Sequence, residues 1–119
     1  MTTLLTFHGI PVLMCADEGA AIGEREALDL IGDAGYRGAR WVAVPAGRLH
    51  EDFFRLRTGL AGEIVQKFAN YRLGLAVVGD VSARTAASAS LRDFVRECDR
   101  GQQMWFVADE TELAERLTP

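Results

Sequence analysis

The sequence predicts a single α/β domain whose mixed, mostly parallel sheet has five strands, in the element order β-β-α-β-α-β-α-β-α over residues 1–119. Three observations point there. Short apolar runs of four to six residues alternate with longer stretches in which apolar residues recur at helical spacing. Several of those runs (WVAV, LAVV, WFVA) are apolar without a break, as in strands covered on both faces. The longest helical pattern follows a loop rich in arginine and glycine, which makes residues 53–71 the centre of the chain.

Residues 4–8 and 10–15 read as two short strands joined tightly around Gly9-Ile10-Pro11, a hairpin at one end of the sheet. Pro11 suits a strand start or an edge. Residues 24–34 read as a helix with Ala27, Leu28, Ile31 and Ala34 inward and Gly35 as its stop. Residues 40–44 form the third strand, broken by Pro45 and Gly47. A loop with Arg48, His50, Glu51 and Asp52 leads into the central stretch.

In that stretch Leu60, Ile64 and Phe68 recur every four residues beside Ala61, Val65 and Ala69. Together they make one broad apolar stripe that packs on a sheet. Glu63 and Lys67 take the outer face in the favourable order. Thr58 is placed to cap this helix, with Gly59 keeping its first turn bare. Arg55 and Arg57 stand just before it, so the helix start reads as a site for an anion or an acidic partner. The alternative is a capped core helix with solvated arginines.

Residues 73–78 form the fourth strand and end at Gly79-Asp80. Residues 82–90 are small and polar and read as a mobile loop, with Ser82 near the sheet edge and Ser90 capping a helix over 91–100. Residues 103–108 are the fifth strand. Asp109 and Glu112 have capping-box spacing for a last helix holding Leu113 and Leu117. Asp17, Asp80 and Asp109 each follow a strand. They share one sheet edge if those strands are parallel, or they only end strands and cap helices.

With 119 residues, 49% hydrophobic and 25% charged, the composition is that of an ordinary folded domain. A net charge of −4 argues against a general nucleic-acid role. No apolar run reaches the roughly 20 residues of a membrane span, and the N-terminal residues lack a secretory pattern. Cys15 and Cys98 lie in apolar patterns without metal-ligand spacing, which predicts reduced core thiols and a cytoplasmic setting. No nucleotide loop, zinc motif or Gly-x-Ser-x-Gly setting is present. His8 and His50 have no evident partners. The chain is therefore read without a metal or cofactor and, on balance, without a catalytic centre.

The element order resembles the STAS fold, the sulphate-transporter and anti-sigma-factor-antagonist domain. In that family a segment close to Asp-Ser-Ser-Gly-Leu-Gly opens the second helix. Here Arg57-Thr58-Gly59-Leu60-Ala61-Gly62 holds its place, and Leu75-Ala76-Val77-Val78-Gly79-Asp80 resembles the family's next strand ending. The resemblance implies a regulatory protein-interaction module, with Thr58 where the family carries a phosphorylated Ser or Thr. The chain departs from that pattern at Arg57, where the family has an acid, and at Val44-Pro45-Ala46. The stretch FFRLRTGLAGEIVQKFANYRLGLAVVGD, with LRDFVRECDRG and FVAD, is more closely similar to a bacterial family known only as a domain of unknown function.

Three functions follow as expectations. The first is a non-catalytic module that binds a protein partner through Arg55, Arg57, Thr58 and Gly59, with modification of Thr58 as its switch. The second is an anionic small-molecule binder or enzyme using Arg55, Arg57, Asp80 and Ser82. The third is a homodimer formed through the first strand or through exposed parts of Phe53 and Phe54.

Overall fold

A computed structural model describes residues 2–118; Met1 and Pro119 lie outside the described residues. Strands β1 (Thr2–Phe7), β2 (Ile10–Cys15), β3 (Trp41–Pro45), β4 (Gly74–Val78) and β5 (Met104–Val107) form one sheet in that spatial order. The β1–β2 pair is antiparallel, and β2 to β5 run parallel. Helices α1 (Glu24–Arg37), α2 (Leu60–Asn70), α3 (Ser82–Ala87), α4 (Ala89–Arg100) and α5 (Glu110–Arg116) complete the chain. The α/β class and the mixed five-stranded sheet match the expectation; the first of two consecutive helices between β4 and β5, α3, is new.

Side chains alternate across the sheet, so each strand feeds two cores. Leu13, Val42, Val44, Leu75, Val77, Met104 and Phe106 meet Ile31, Ala61, Ile64, Phe68 and Leu91 from α1, α2 and α4. On the reverse face Val12, Trp41, Ala43, Ala76, Trp105 and Val107 meet Leu113 and Leu117. Among the described residues the short α5 is the helix that covers that face. Toward β1 it is partly open, with Phe7, Ile10 and Met14 half-buried and Leu5 37% exposed.

The hairpin turns at His8-Gly9, both at positive φ (52° and 83°), and not around Gly9-Ile10-Pro11. A two-residue loop with left-handed dihedrals matches the twist of its strands, which leaves Ile10 and Pro11 free to pair in β2. Pro11 lies opposite Thr6. There its missing N–H faces β3, whose ladder begins one residue later at Val12↔Trp41.

The first helix runs past Gly35 and closes at Gly38, whose φ is 76°. The Gly38 and Ala39 N–H groups cap it on Gly35 and Ala34. Leu28 is 44% exposed and not inward, because Ala27, Ile31 and Ala34 already define the buried line and Leu28 lies about 100° from it. Residues 82–90 are not a loop. Asp80 accepts the Ser82 N–H at 2.8 Å and starts α3, and Ser88 accepts from the Leu91 N–H at 3.2 Å to start α4. The alanines that look featureless in the sequence are the best helix formers, and the α4 cap is Ser88, not Ser90.

Both cysteines are free thiols, and burial pushes each up to about 11. Neither carries appreciable thiolate near neutral pH. No helix among the described residues is long and apolar enough to cross a membrane.

Candidate functional site

The chain from β3 to α2 crosses the C-terminal edge of the parallel strands as three 3₁₀ turns, Ala46–Arg48, Glu51–Phe53 and Leu56–Thr58. Two backbone bonds stitch it to the loop before α1: Ile22 N–H to Arg48 O at 2.6 Å and His50 N–H to Ile22 O at 2.9 Å. Arg48 also donates to the Ala16 and Ala20 carbonyls. Phe53 and Phe54 are buried, their rings edge-to-face at 5.4 Å, which removes them as an exposed dimer surface. Arg84 of α3 lies 4.1 Å over the Phe54 ring and makes a double hydrogen bond to Glu51, at 2.6 and 3.0 Å. That contact holds the Glu51 carboxyl below its usual range and raises Arg84. The loop is thus anchored from beneath by two rings and from the side by an ion pair.

Thr58 does not cap α2. Gly59 takes that position with φ 81°, a left-handed geometry that glycine adopts without strain. The Thr58 hydroxyl lies 2.7 Å from Asp52 O and 2.8 Å from Arg55 O, and it accepts from the Leu60 N–H at 3.3 Å. It ties two turns to the helix start. Thr58→Ala is expected to lower stability by about 1 kcal/mol, the worth of an ordinary hydrogen bond. Thr58→Ser should retain most of it. Urea unfolding of the pair checks this, and equal midpoints for Ala and wild type would remove the role.

The predicted site residues are divided among three depressions. Arg55 and Arg57 line the first, about 360 Å³, with Phe54, Leu56, Ser88 and Ser90 at the start of α4. The Arg55 side chain is 61% exposed and only loosely paired, 3.9 Å from Asp52. Arg57 is exposed and has no ion pair among the described residues. Two arginines and two serines at the start of the twelve-residue α4 therefore line one concavity, where the Ser88 hydroxyl already takes the Leu91 N–H.

Thr58 and Gly59 line the second, about 370 Å³, where the starts of α1 and α2 meet around Gly23 and Leu60. Here the helix ends are already answered by acids. Glu24, Asp52 and Glu63 share the space with His50, and Lys67 sits 3.4 Å from Glu63 and 3.9 Å from Glu24. An added anion would meet like charges. Arg55 and Arg57 open away from α2's start, toward that of α4.

Asp80 and Ser82 line the third, about 310 Å³, beside Val95, Asp99 and Phe106 at the ends of β4 and β5. Hydrogen bonds from Ser82, through its hydroxyl and its backbone N–H, hold Asp80 below the usual carboxylate range. Asp109 in turn caps α5, accepting the Glu112 N–H at 2.9 Å. Asp17, Asp80 and Asp109 do follow parallel strands, but Asp109 spends a carboxylate oxygen as the α5 cap and Asp80 spends one on the Ser82 N–H. The single pocket expected around Arg55, Arg57 and Asp80 is not formed.

Asp99 lines the third depression and Arg84 anchors the arginine loop, and neither stands out in the sequence. Asp99 accepts the Phe106 N–H at 2.8 Å, and burial raises its pKa above the usual value despite Arg116 at 3.6 Å. A signal existed, since Asp99 is eight residues after Leu91 and so falls at i+8 of the apolar stripe. For Arg84 there was none without the helix that carries it.

Among known proteins, no curated protein and no solved structure matches the chain. One family model matches residues 7–117, nearly the whole domain. The chain belongs to the family described as Domain of unknown function (DUF4180).

Proposed function

We propose that the chain is a non-catalytic regulatory module of STAS type that recognises an acidic group, phosphate or carboxylate, on a protein partner. The observation that carries this reading is the depression at Arg55, Arg57, Ser88 and Ser90. Guanidinium forks pair with such oxygens through two parallel hydrogen bonds. The first N–H groups of α4 add donors and a favourable dipole. The anchored loop keeps the arginines in place before the partner arrives, which lowers the ordering cost of binding.

Thr58 is the switch in this reading, and it acts by disruption. Phosphorylation adds about −1.5 to −2 charges beside Glu24, Asp52 and Glu63. It also removes the hydroxyl proton shared with the Asp52 and Arg55 carbonyls. The turn that carries Arg55 and Arg57 then loosens, so the modified chain is the non-binding state.

The test is an amide NMR titration with inorganic phosphate and with a phosphoserine peptide. The expected shifts fall at residues 88–91, and the peptide binds the Arg55→Gln/Arg57→Gln variant about tenfold or more weakly, a loss of about 1.4 kcal/mol. A peptide that binds wild type and the double variant equally, or shifts that avoid residues 88–91, would sink the reading.

A further inference from the structure

The two outer edges of the sheet are treated differently. At β5 the Phe106 N–H is taken by the Asp99 carboxylate at 2.8 Å. Arg116 closes over the same edge, donating to Asp99 O at 2.6 Å with its guanidinium 4.4 Å over the Trp105 ring. Charged side chains of this kind stop a sheet from adding strands. At the opposite edge, β1 pairs only with β2. Its sequence, TTLLTF, holds no charge and no proline, and its pairing with β2 runs without a bulge from Thr2↔Cys15 to Phe7↔Ile10.

The hairpin register says which backbone groups are free. A two-residue turn at His8-Gly9 makes Phe7↔Ile10 a hydrogen-bonded pair, and alternation adds Leu5↔Val12 and Thr3↔Met14. The N–H and C=O groups of Thr2, Leu4 and Thr6 therefore point outward. These residues are symmetric about Leu4. Two copies of β1 placed antiparallel across a two-fold axis at Leu4 set Leu4 against Leu4, and Thr2 of one copy against Thr6 of the other. Every outward donor then meets an outward acceptor.

We propose that β1 is a docking edge for a second copy of this chain, joining two sheets into one continuous antiparallel seam. Charge argues for that occupant as well. The strand itself carries no charge, and the charged groups at its Thr2 end, Asp33 and Arg37, which hold the Thr2 hydroxyl, are of opposite sign, so the seam brings no like charges together. Threonine faces threonine across it, a pair that stabilises antiparallel ladders. On the reverse face Leu5 of each copy lies opposite Thr3 of the other, which makes the two half-exposed Leu5 side chains diagonal neighbours across the axis. The arginine depression is not part of this seam, so the inference stands apart from the anion reading.

The test combines light scattering on the wild-type chain with register-specific crosslinking. Wild type is expected at twice the chain mass. Directly opposed residues in a hydrogen-bonded antiparallel pair lie about 5.5 Å apart between Cα atoms, inside the range a disulfide spans. A mixture of Thr2→Cys and Thr6→Cys chains should oxidise to a linked heterodimer at about ten times the rate of either variant alone. A monomeric wild type overturns the proposal. So do a dimer in which Thr2→Cys links to itself as fast as it links to Thr6→Cys, and a dimer that links in neither combination.

Discussion

Gly74→Ala is expected to lower stability by about 3 kcal/mol and the melting temperature by about 10 °C. In most strands the same change helps, because alanine loses less backbone entropy on folding. Here the sign inverts. Gly74 is paired with Trp41 across β3 and β4, and a Cβ at Gly74 would fall inside the Trp41 indole. The ring cannot step aside, since it stacks on Trp105 with centroids 4.0 Å apart and planes at 24°. Gly74 is the gap over which the two indoles meet, from β3 to β5 across β4. The cost therefore combines overpacking with loss of an aromatic pair. Thermal melts give the size, and Trp41→Val supplies the control. With the indole removed, Gly74→Ala should be nearly neutral, so the double variant is more stable than the sum of the two changes. Additive losses would place the cause elsewhere.

Phe53→Ala is expected to cost about 3–5 kcal/mol, as for other fully buried aromatic rings. Phe53 is fully buried and is among the largest such side chains in the domain, although it belongs to a 3₁₀ turn and not to a helix or strand. It is the peg on which the arginine loop hangs. Phe53→Leu keeps most of the buried surface and should cost under about 1.5 kcal/mol. Amide hydrogen exchange separates local from global effects. In Phe53→Leu, protection should fall first around Phe54 and Thr58 while the amides of β3 and β4 stay protected. A Phe53→Ala chain within about 1 kcal/mol of wild type in urea would show that the loop is held by Arg84 and the backbone stitches instead.

Both changes were half visible in the sequence. The pair Phe53-Phe54 stands out as apolar, but adjacent apolar residues in a loop carry no period, so nothing told that both rings turn inward. Gly74 stands out as a glycine in an apolar strand, a sign of close approach. Which side chain approaches it depends on strand order. The helix ends show the same division. Gly35 looks like a stop, yet Gly38 is the one that the capping bonds select. The run at 82–90 lacks large apolar residues, so no periodicity marked it, and its structure depends on the Asp80–Ser82 turn and the Ser88 cap together with packing beside α4.

The succession of strands and helices along the chain, the apolar stripes of α2 and α4, the hairpin and the cap at Asp109 were set by local pattern, and local pattern is what a sequence displays. Period two or 3.6, a glycine at a tight turn and an acid before a helix act within a few residues of one another. The site was not local. Arg55 and Arg57 lie three residues and one residue before Thr58 in the chain, and Asp80 follows the next strand, which suggested one pocket at the start of α2. The fold sends the arginines toward Ser88 and Ser90 and leaves Thr58 among carboxylates, because the 3₁₀ turns rotate successive side chains to different sides. Which edge of the sheet stays open was likewise a tertiary matter. Asp99 and Arg116 from the flanking helices take up the backbone at β5, whereas at β1 the charged Asp33 and Arg37 reach only the Thr2 hydroxyl.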